Sequence, residues 1–246
     1  YDMGIALSDG QYLIGEGAGL NCGGCAIELA AGTAAPVFTN TSTTNDGNAV
    51  VLAKNNTVQG IKIENTKGYA FTNATSTDVG ELYIDIESVT GEGGIIQLKN
   101  CANQAQITIQ DASSSDSAAI DFSKVTGNLS YSGSITTTNS GRLMVINDCP
   151  GSFTFKQKDC NDIISQAVTD GEGILIKNVA GNLAFKAPVH IGTVATPNGG
   201  DHGITLFENN PGIFSFESVE IYTQNHTGIW AEDNGDQGTI IIRNGS

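Results

Sequence analysis

Basic residues are scarce in this chain of 246 residues: Lys and Arg number 11 against 26 Asp and Glu, giving a net charge of −15. Arginine occurs only at Arg142 and Arg243. No basic stripe exists that could displace counterions, so nucleic acid and anionic membrane surfaces are not expected partners. No hydrophobic run approaches the length of a membrane helix, and no basic stretch followed by an apolar one reads as a secretion leader, so insertion of this segment into a bilayer is not expected. Sustained helical periodicity is also lacking. The nearest stretch, Cys160 to Val168, is too short to define a helix. No linker-like change of composition interrupts the chain, which reads as a single elongated domain over residues 1–246.

What is present is a repeat. Gly173 to Phe185 and Gly203 to Phe216 share one plan. An apolar-x-apolar strand (Ile174 and Ile176; Ile204 and Leu206) leads into an Asn-containing turn, a Gly (Gly181; Gly212) and a second strand ending in Phe (Phe185; Phe216). The first strand recurs at Ile5/Leu7, Ile27/Leu29, Val50/Leu52, Tyr69/Phe71, Ile96/Leu98, Ile120/Phe122, Leu143/Val145 and Ile229/Ala231. The second recurs at Tyr12/Ile14, Val37, Ile61/Ile63, Leu82/Ile84, Ile107/Ile109, Leu129/Tyr131, Phe153/Phe155 and Ile240/Ile242. A period that wanders over ~20–30 residues signals a solenoid whose loops absorb the variation. The count is about ten coils, or near 50 Å at ~4.8 Å per coil.

Strands this short cannot stand alone and must pair in parallel with their equivalents above and below. Val189/Ile191, Val219/Ile221 and Ile135 mark a third strand in several coils. Tyr131, Phe155, Phe185 and Phe216 occupy one equivalent position and should stack inside. Hydrophobic residues make up 39% of the chain, enough for such a core, while Gly, Asn, Ser and Thr supply its many turns. The longer connections, Asn40 to Asn48, Thr72 to Gly80, Gln110 to Ser117, Lys156 to Gly173, Gly192 to Gly203 and Tyr222 to Gly228, should all emerge along one edge.

The odd count of five cysteines does not read as a disulfide framework. Cys101 and Cys149 lie at equivalent turn positions with Val125 in the coil between, so ~10 Å separates them and both should be reduced and inward-facing. Cys22 and Cys25 could close a small loop, but a thioredoxin-like setting is absent, and with no second pair or aligned His nearby a zinc site is not expected.

After the first strand, Asn55 or Asn56, Asn100, Asn147, Asn178, and Asn209 or Asn210 recur at the bend, where a residue tolerant of the left-handed conformation is needed. On these residues the chain resembles the pectate-lyase-like superfamily of right-handed parallel β-helices, in which such asparagine ladders occur. That resemblance implies an all-β solenoid with three short strands per coil. Ser8 to Gly17 and Asn55 to Ile61 are in addition similar to phrases of β-helical passenger regions in bacterial autotransporters and inverse autotransporters. This second resemblance implies a secreted or outer-surface bacterial adhesin, a piece of a longer protein, displaying loops toward a host or surface glycan or protein.

An enzyme on this fold would act on polysaccharide, as a hydrolase with paired carboxylates or as a lyase with Arg and calcium-binding Asp. Neither Arg is accompanied by the expected lyase companions. Asp201-His202-Gly203 resembles one polygalacturonase phrase whose other members are missing, so no catalytic residue is assigned. Asp46, Asp78, Asp116, Asp159, Asp162 and Asp170 crowd the loops without a calcium-binding spacing, which leaves no expected cofactor beyond the general capacity of paired Asp for Ca²⁺. A phosphate cradle at Gly15 to Gly19 lacks the helix it would need. Six Asn-x-Ser/Thr matches accord with the composition.

Residues between the inward pairs of the first strand should face out: Val51, Met144, Leu175 and Trp230, with polar Glu28, Gln97, Asp121 and Thr205. An outward Trp more often lies under a neighbouring loop and a His such as His202 is more often a solvated loop residue; with those readings beside them, Trp230, Met144, Asp201 and His202 are the candidate ligand-binding residues. The last strand, Thr239 to Arg243, presents Ile240 and Ile242 with nothing after them to stack on, which predicts a monomer with an association-prone C-terminal coil.

Overall fold

A computed structural model describes residues 4–19, 34–43, 45–73, 78–208, 210–232 and 238–245. The chain winds as an all-β parallel solenoid of about eight turns. The first coil contains β1 (Ile5–Ala6), β2 (Tyr12–Ile14) and β3 (Val37–Thr39); the second contains β4 (Val50–Leu52), β5 (Thr57–Gln59) and β6 (Lys62–Thr66). Next come β7 (Phe71–Asn73) with β8 (Gly80–Gly91), then β9 (Ile96–Ser114) and β10 (Ile120–Thr137). Three-strand coils return with β11 (Arg142–Asn147), β12 (Ser152–Lys156) and β13 (Ile164–Gln166), and then β14 (Gly173–Lys177), β15 (Leu183–Phe185) and β16 (Val189–Ile191). They continue through β17 (Ile204–Phe207), β18 (Ile213–Phe216) and β19 (Val219–Ile221) to β20 (Ile229–Glu232) and β21 (Thr239–Ile242).

Among the described residues all pairings are parallel, and each strand meets its equivalent one coil away. Three ladders result. The first runs β1, β4, β7, β9, β10, β11, β14, β17, β20. The second joins β2, β5 and β8 to the middle of β9 and β10 and on through β12, β15, β18 and β21. The third carries β3 and β6 through the ends of β8, β9 and β10 to β13, β16 and β19. In the middle coils β9 and β10 run through their corners without interruption, so three short strands become one long bent one.

The ten-coil count is corrected by the first pairing. Ile5 pairs directly with Val50, Leu13 with Val58 and Phe38 with Ile63. No rung stands between β1–β3 and β4–β6, so the described residues hold fewer rungs than ten; Ile27 and Leu29, expected as a rung, lie outside the described residues, as do Cys22, Cys25 and Glu28. Val37 and Ile63, expected in the second ladder, belong to the third. The stack is thus roughly 40 Å long at ~4.8 Å per coil. The long connections also divide between edges. Residues 72–80 link the first ladder to the second, whereas 192–203 and 222–228 return from the third to the first.

Burial follows strand alternation. Ile174, Ile176, Leu183, Phe185, Val189 and Ile191 of one coil are all fully buried. The aromatic stack forms as expected: Phe155 and Phe185 lie 5.0 Å apart at 14°, Phe185 and Phe216 4.7 Å apart at 3°, with Tyr131 tilted at 6.3 Å from Phe155. Cys101 and Cys149 are free and buried, with Val125 between their coils. Burial pushes the Cys101 thiol up to about 12 and the Cys149 thiol up to about 11. Gly181 is required by proximity: a Cβ there would come within 1.8 Å of the Gly151 carbonyl in the coil below.

The left-handed bend exists but is not an asparagine column. Asn55, Asn100 and Asn178 take positive φ, while Lys124, Asp148 and Glu208 occupy the equivalent bend in other coils, so Asp148 rather than Asn147 turns the chain. The side chain of Asn178 donates to Asp148 Oδ1 at 2.7 Å, a bond between coils of the kind a ladder provides. Asn56 and Asn210 are instead fully buried and cap the corner backbone, Asn56 Oδ1 accepting from the Ala53 amide and Asn210 Oδ1 from the Val179 amide.

Candidate functional site

One site forms where the third ladder turns back into the first near the last coils. Asn198, fully buried, ties the two returning loops together: its amide donates to Tyr222 O and its carbonyl accepts from Gln224 N. That seam places Asp201 and His202, just ahead of β17, against His226, just ahead of β20. His202 and His226 meet edge to face with centroids 5.6 Å apart. Thr227 N donates to His202 Nδ1 at 3.1 Å, which fixes His202 as the neutral ring with its proton on Nε2. His202 Nε2 lies 3.8 Å from Asp201 Oδ1.

Arg142, at the start of β11, reaches across two further coils. Its Nη1 donates to Glu172 O at 2.6 Å, its Nε sits 3.1 Å from Glu172 Oε2, and its Nη2 pairs with Asp201 Oδ2. Burial alone would raise the Asp201 carboxyl, but the His202 amide and the Arg142 guanidinium outweigh it and hold the group below its usual range. A carboxyl so held stays ionised at neutral pH and is unsuited to general-acid work.

Of the candidates read from the sequence, Trp230, Asp201 and His202 come together. The indole of Trp230 stacks on His202 with centroids 4.9 Å apart and planes at 8°, and its Nε1 donates to Glu232 Oε2 at 3.1 Å. The ring remains 40% exposed, as an outward residue should. Met144 does not join them. Met144 pairs with Ile120 and Ile146 with Phe122 in the coil below, and the pairing with β14 shifts between Arg142 and Met144, so Met144 is fully buried alongside Leu143 and Val145 takes the outward place. The extra apolar residue in Leu143-Met144-Val145-Ile146 made the alternation ambiguous. Tyr69 was likewise expected inward, but Phe71 fills the core and the Tyr69 phenol, raised by burial and then by Asp121, hydrogen-bonds to Gln97 instead.

A second feature was not found from the sequence. The outer face of the second ladder forms a cleft of about 820 Å³ along the first six coils. Its central row, in register, is Tyr12, Thr57, Tyr83, Gln106, Ser130 and Thr154. A parallel row runs Glu81, Gln104, Asn128 and Ser152. Among the described residues, Glu81 is the one charged lining residue. Tyr12 is 71% exposed and Tyr83 38%. The signal was present as polar residues two apart in consecutive coils, but it emerges only once the register is known. No protein-family model, curated protein or solved structure matches the chain.

Proposed function

We propose that this protein is a non-catalytic attachment module, a β-helical region displayed outside a bacterial cell, that holds a neutral glycan along the outer face of its second ladder. The observation that carries this reading is the row of uncharged hydrogen-bonding side chains, one per rung at ~4.8 Å, running in register from Tyr12 to Thr154. An extended polymer lying along the solenoid axis would meet a donor or acceptor at every rung. Tyr12 and Tyr83, two rungs or ~10 Å apart, offer amphipathic ring faces on which sugar rings can lie. The charge of −15 disfavours an acidic polymer, and a cleft with a single carboxylate favours a neutral one. The similarity of Ser8 to Gly17 and Asn55 to Ile61 to autotransporter passenger phrases supports the extracellular, bacterial-surface placement.

The test is a glycan array combined with assays for new reducing or unsaturated ends. Retention of neutral polysaccharides without release of ends is the expected result. Turnover would replace this reading with that of a polysaccharide-acting enzyme, and inertness in both assays with that of a structural spacer.

A further inference from the structure

We propose that Asp201, His202 and His226 form a binding site for a divalent transition-metal cation of the zinc and nickel class, and that occupancy releases the Thr227 amide of the 223–228 turn. The three side chains each offer a ligand atom, and these atoms all lie within 4.8 Å of one another. Ligands at 2.0–2.2 Å in tetrahedral array stand about 3.4 Å apart, so the cluster needs to contract by little more than an ångström. His226 is exposed and sits on a surface turn, so it can make that movement. Two imidazoles and one carboxylate are the donor set such ions prefer.

The surroundings accept a cation. Arg142 brings a positive charge close by, but it is also paired with Glu172 and meets Asp201 at Oδ2, leaving Oδ1 on the side of His202. Glu232, bonded to the Trp230 indole, adds a further negative charge on the same face. The site therefore has a net negative environment before the ion arrives.

The link to the turn follows from the tautomer of His202. Its Nδ1 accepts the Thr227 amide, so the ring carries its one proton on Nε2. A metal at Nδ1 would displace that amide directly. A metal at Nε2 would force the proton onto Nδ1, which then faces an N–H it cannot accept. Either way the Thr227 amide loses its partner. Metal loading and the Thr227–His202 bond are thus alternatives; the turn's other ties, Thr223 Oγ1 to His226 O, Gln224 N to Asn198 O, Gly203 N to Thr227 O and Ile204 N to Gly228 O, do not involve the ring, so the loosening centres on the Thr227 amide.

Trp230 is the chain's single tryptophan and stacks on His202, so its fluorescence reports this site alone, whatever Cys22 and Cys25 bind. Titration with Ni²⁺ should quench it saturably at one equivalent. His226→Ala and Asp201→Asn should each weaken the midpoint at least tenfold, while His190→Ala, at the remaining histidine on the third ladder, should leave it unchanged. In a parallel experiment with Zn²⁺, hydrogen exchange at the Thr227 amide should accelerate. Absence of saturable quenching, or equal midpoints in the wild type and His226→Ala, would overturn the site. Undiminished protection of Thr227 at saturating Zn²⁺ would overturn the coupling to the turn.

Discussion

The indole of Trp230 and the imidazole of His202, 28 residues apart in the sequence, lie face to face at 4.9 Å and 8° because β20 is stacked directly on β17 and the loop before β17 folds back over the outer face. One face of the tryptophan is therefore covered and the other open. Acrylamide should quench Trp230 appreciably in the native protein, and His202→Ala should raise the quenching constant by exposing the second face. A shielded indole, or no change in the variant, would contradict the stacking.

Arg142 joins three coils through Glu172 and Asp201, and its side chain is only 19% exposed. Arg142→Ala should lower stability by about 1–2 kcal/mol, more than a typical surface pair, because Asp201 is left partly buried without its cation. The pH dependence follows from the depressed Asp201 carboxyl. Its folded-state pKa lies below the unfolded value of 3.8, so its contribution is fully present above that pH and is lost as pH falls through the folded value. The stability gap between wild type and Arg142→Ala should hold from neutrality to about pH 5 and narrow below pH 3.8 in chemical denaturation series.

The stack of Phe155, Phe185 and Phe216 is continuous through three coils. Phe185→Ala removes the middle ring and should cost about 3–5 kcal/mol. Ser215→Ala, on the outward side of the next coil, should stay within about 0.5 kcal/mol of wild type. Equal effects of the two in thermal melts would contradict the assigned inward and outward faces.

Thiol chemistry should separate the described cysteines. Cys160 is exposed, whereas Cys101 and Cys149 are buried with pKa values raised to about 12 and about 11 by that burial. Iodoacetamide at pH 8 followed by peptide mapping should label Cys160 and spare the other two until the protein is unfolded. Rapid native labelling of Cys101 would show that the coils open locally.

Much of the architecture was legible because the repeat is written in apolar pairs: Ile174/Ile176 and Ile204/Leu206 fixed the first ladder, and the Phe185 and Phe216 positions fixed the stack. Legibility failed where that code is degenerate. Four successive apolar residues at Leu143 to Ile146 allowed two registers, and the core took Leu143 as expected but Met144 and Ile146 in place of Val145. Ile27/Leu29 fits the rung pattern, yet Ile5 pairs with Val50, a contact that no local pattern announces. Asp201, His202 and Trp230 stood out as residue types, but His226 and Arg142 did not, since their meeting depends on loop lengths and on coil stacking. The cleft was invisible for a different reason: Thr57, Gln106, Ser130 and Thr154 are ordinary surface residues singly and become a row only through their register.

The most direct measurement of the attachment reading is hydroxyl-radical footprinting of the native protein with and without a saturating neutral polysaccharide retained on the array. Tyr12 and Tyr83 line the cleft, while Tyr222 and Trp230, also exposed, flank the turn from the third ladder to the first and are not among the cleft-lining residues. Protection of Tyr12 and Tyr83 with Tyr222 and Trp230 unchanged is the predicted result. Protection confined to Trp230 and Tyr222, or none at Tyr12 and Tyr83, would contradict it.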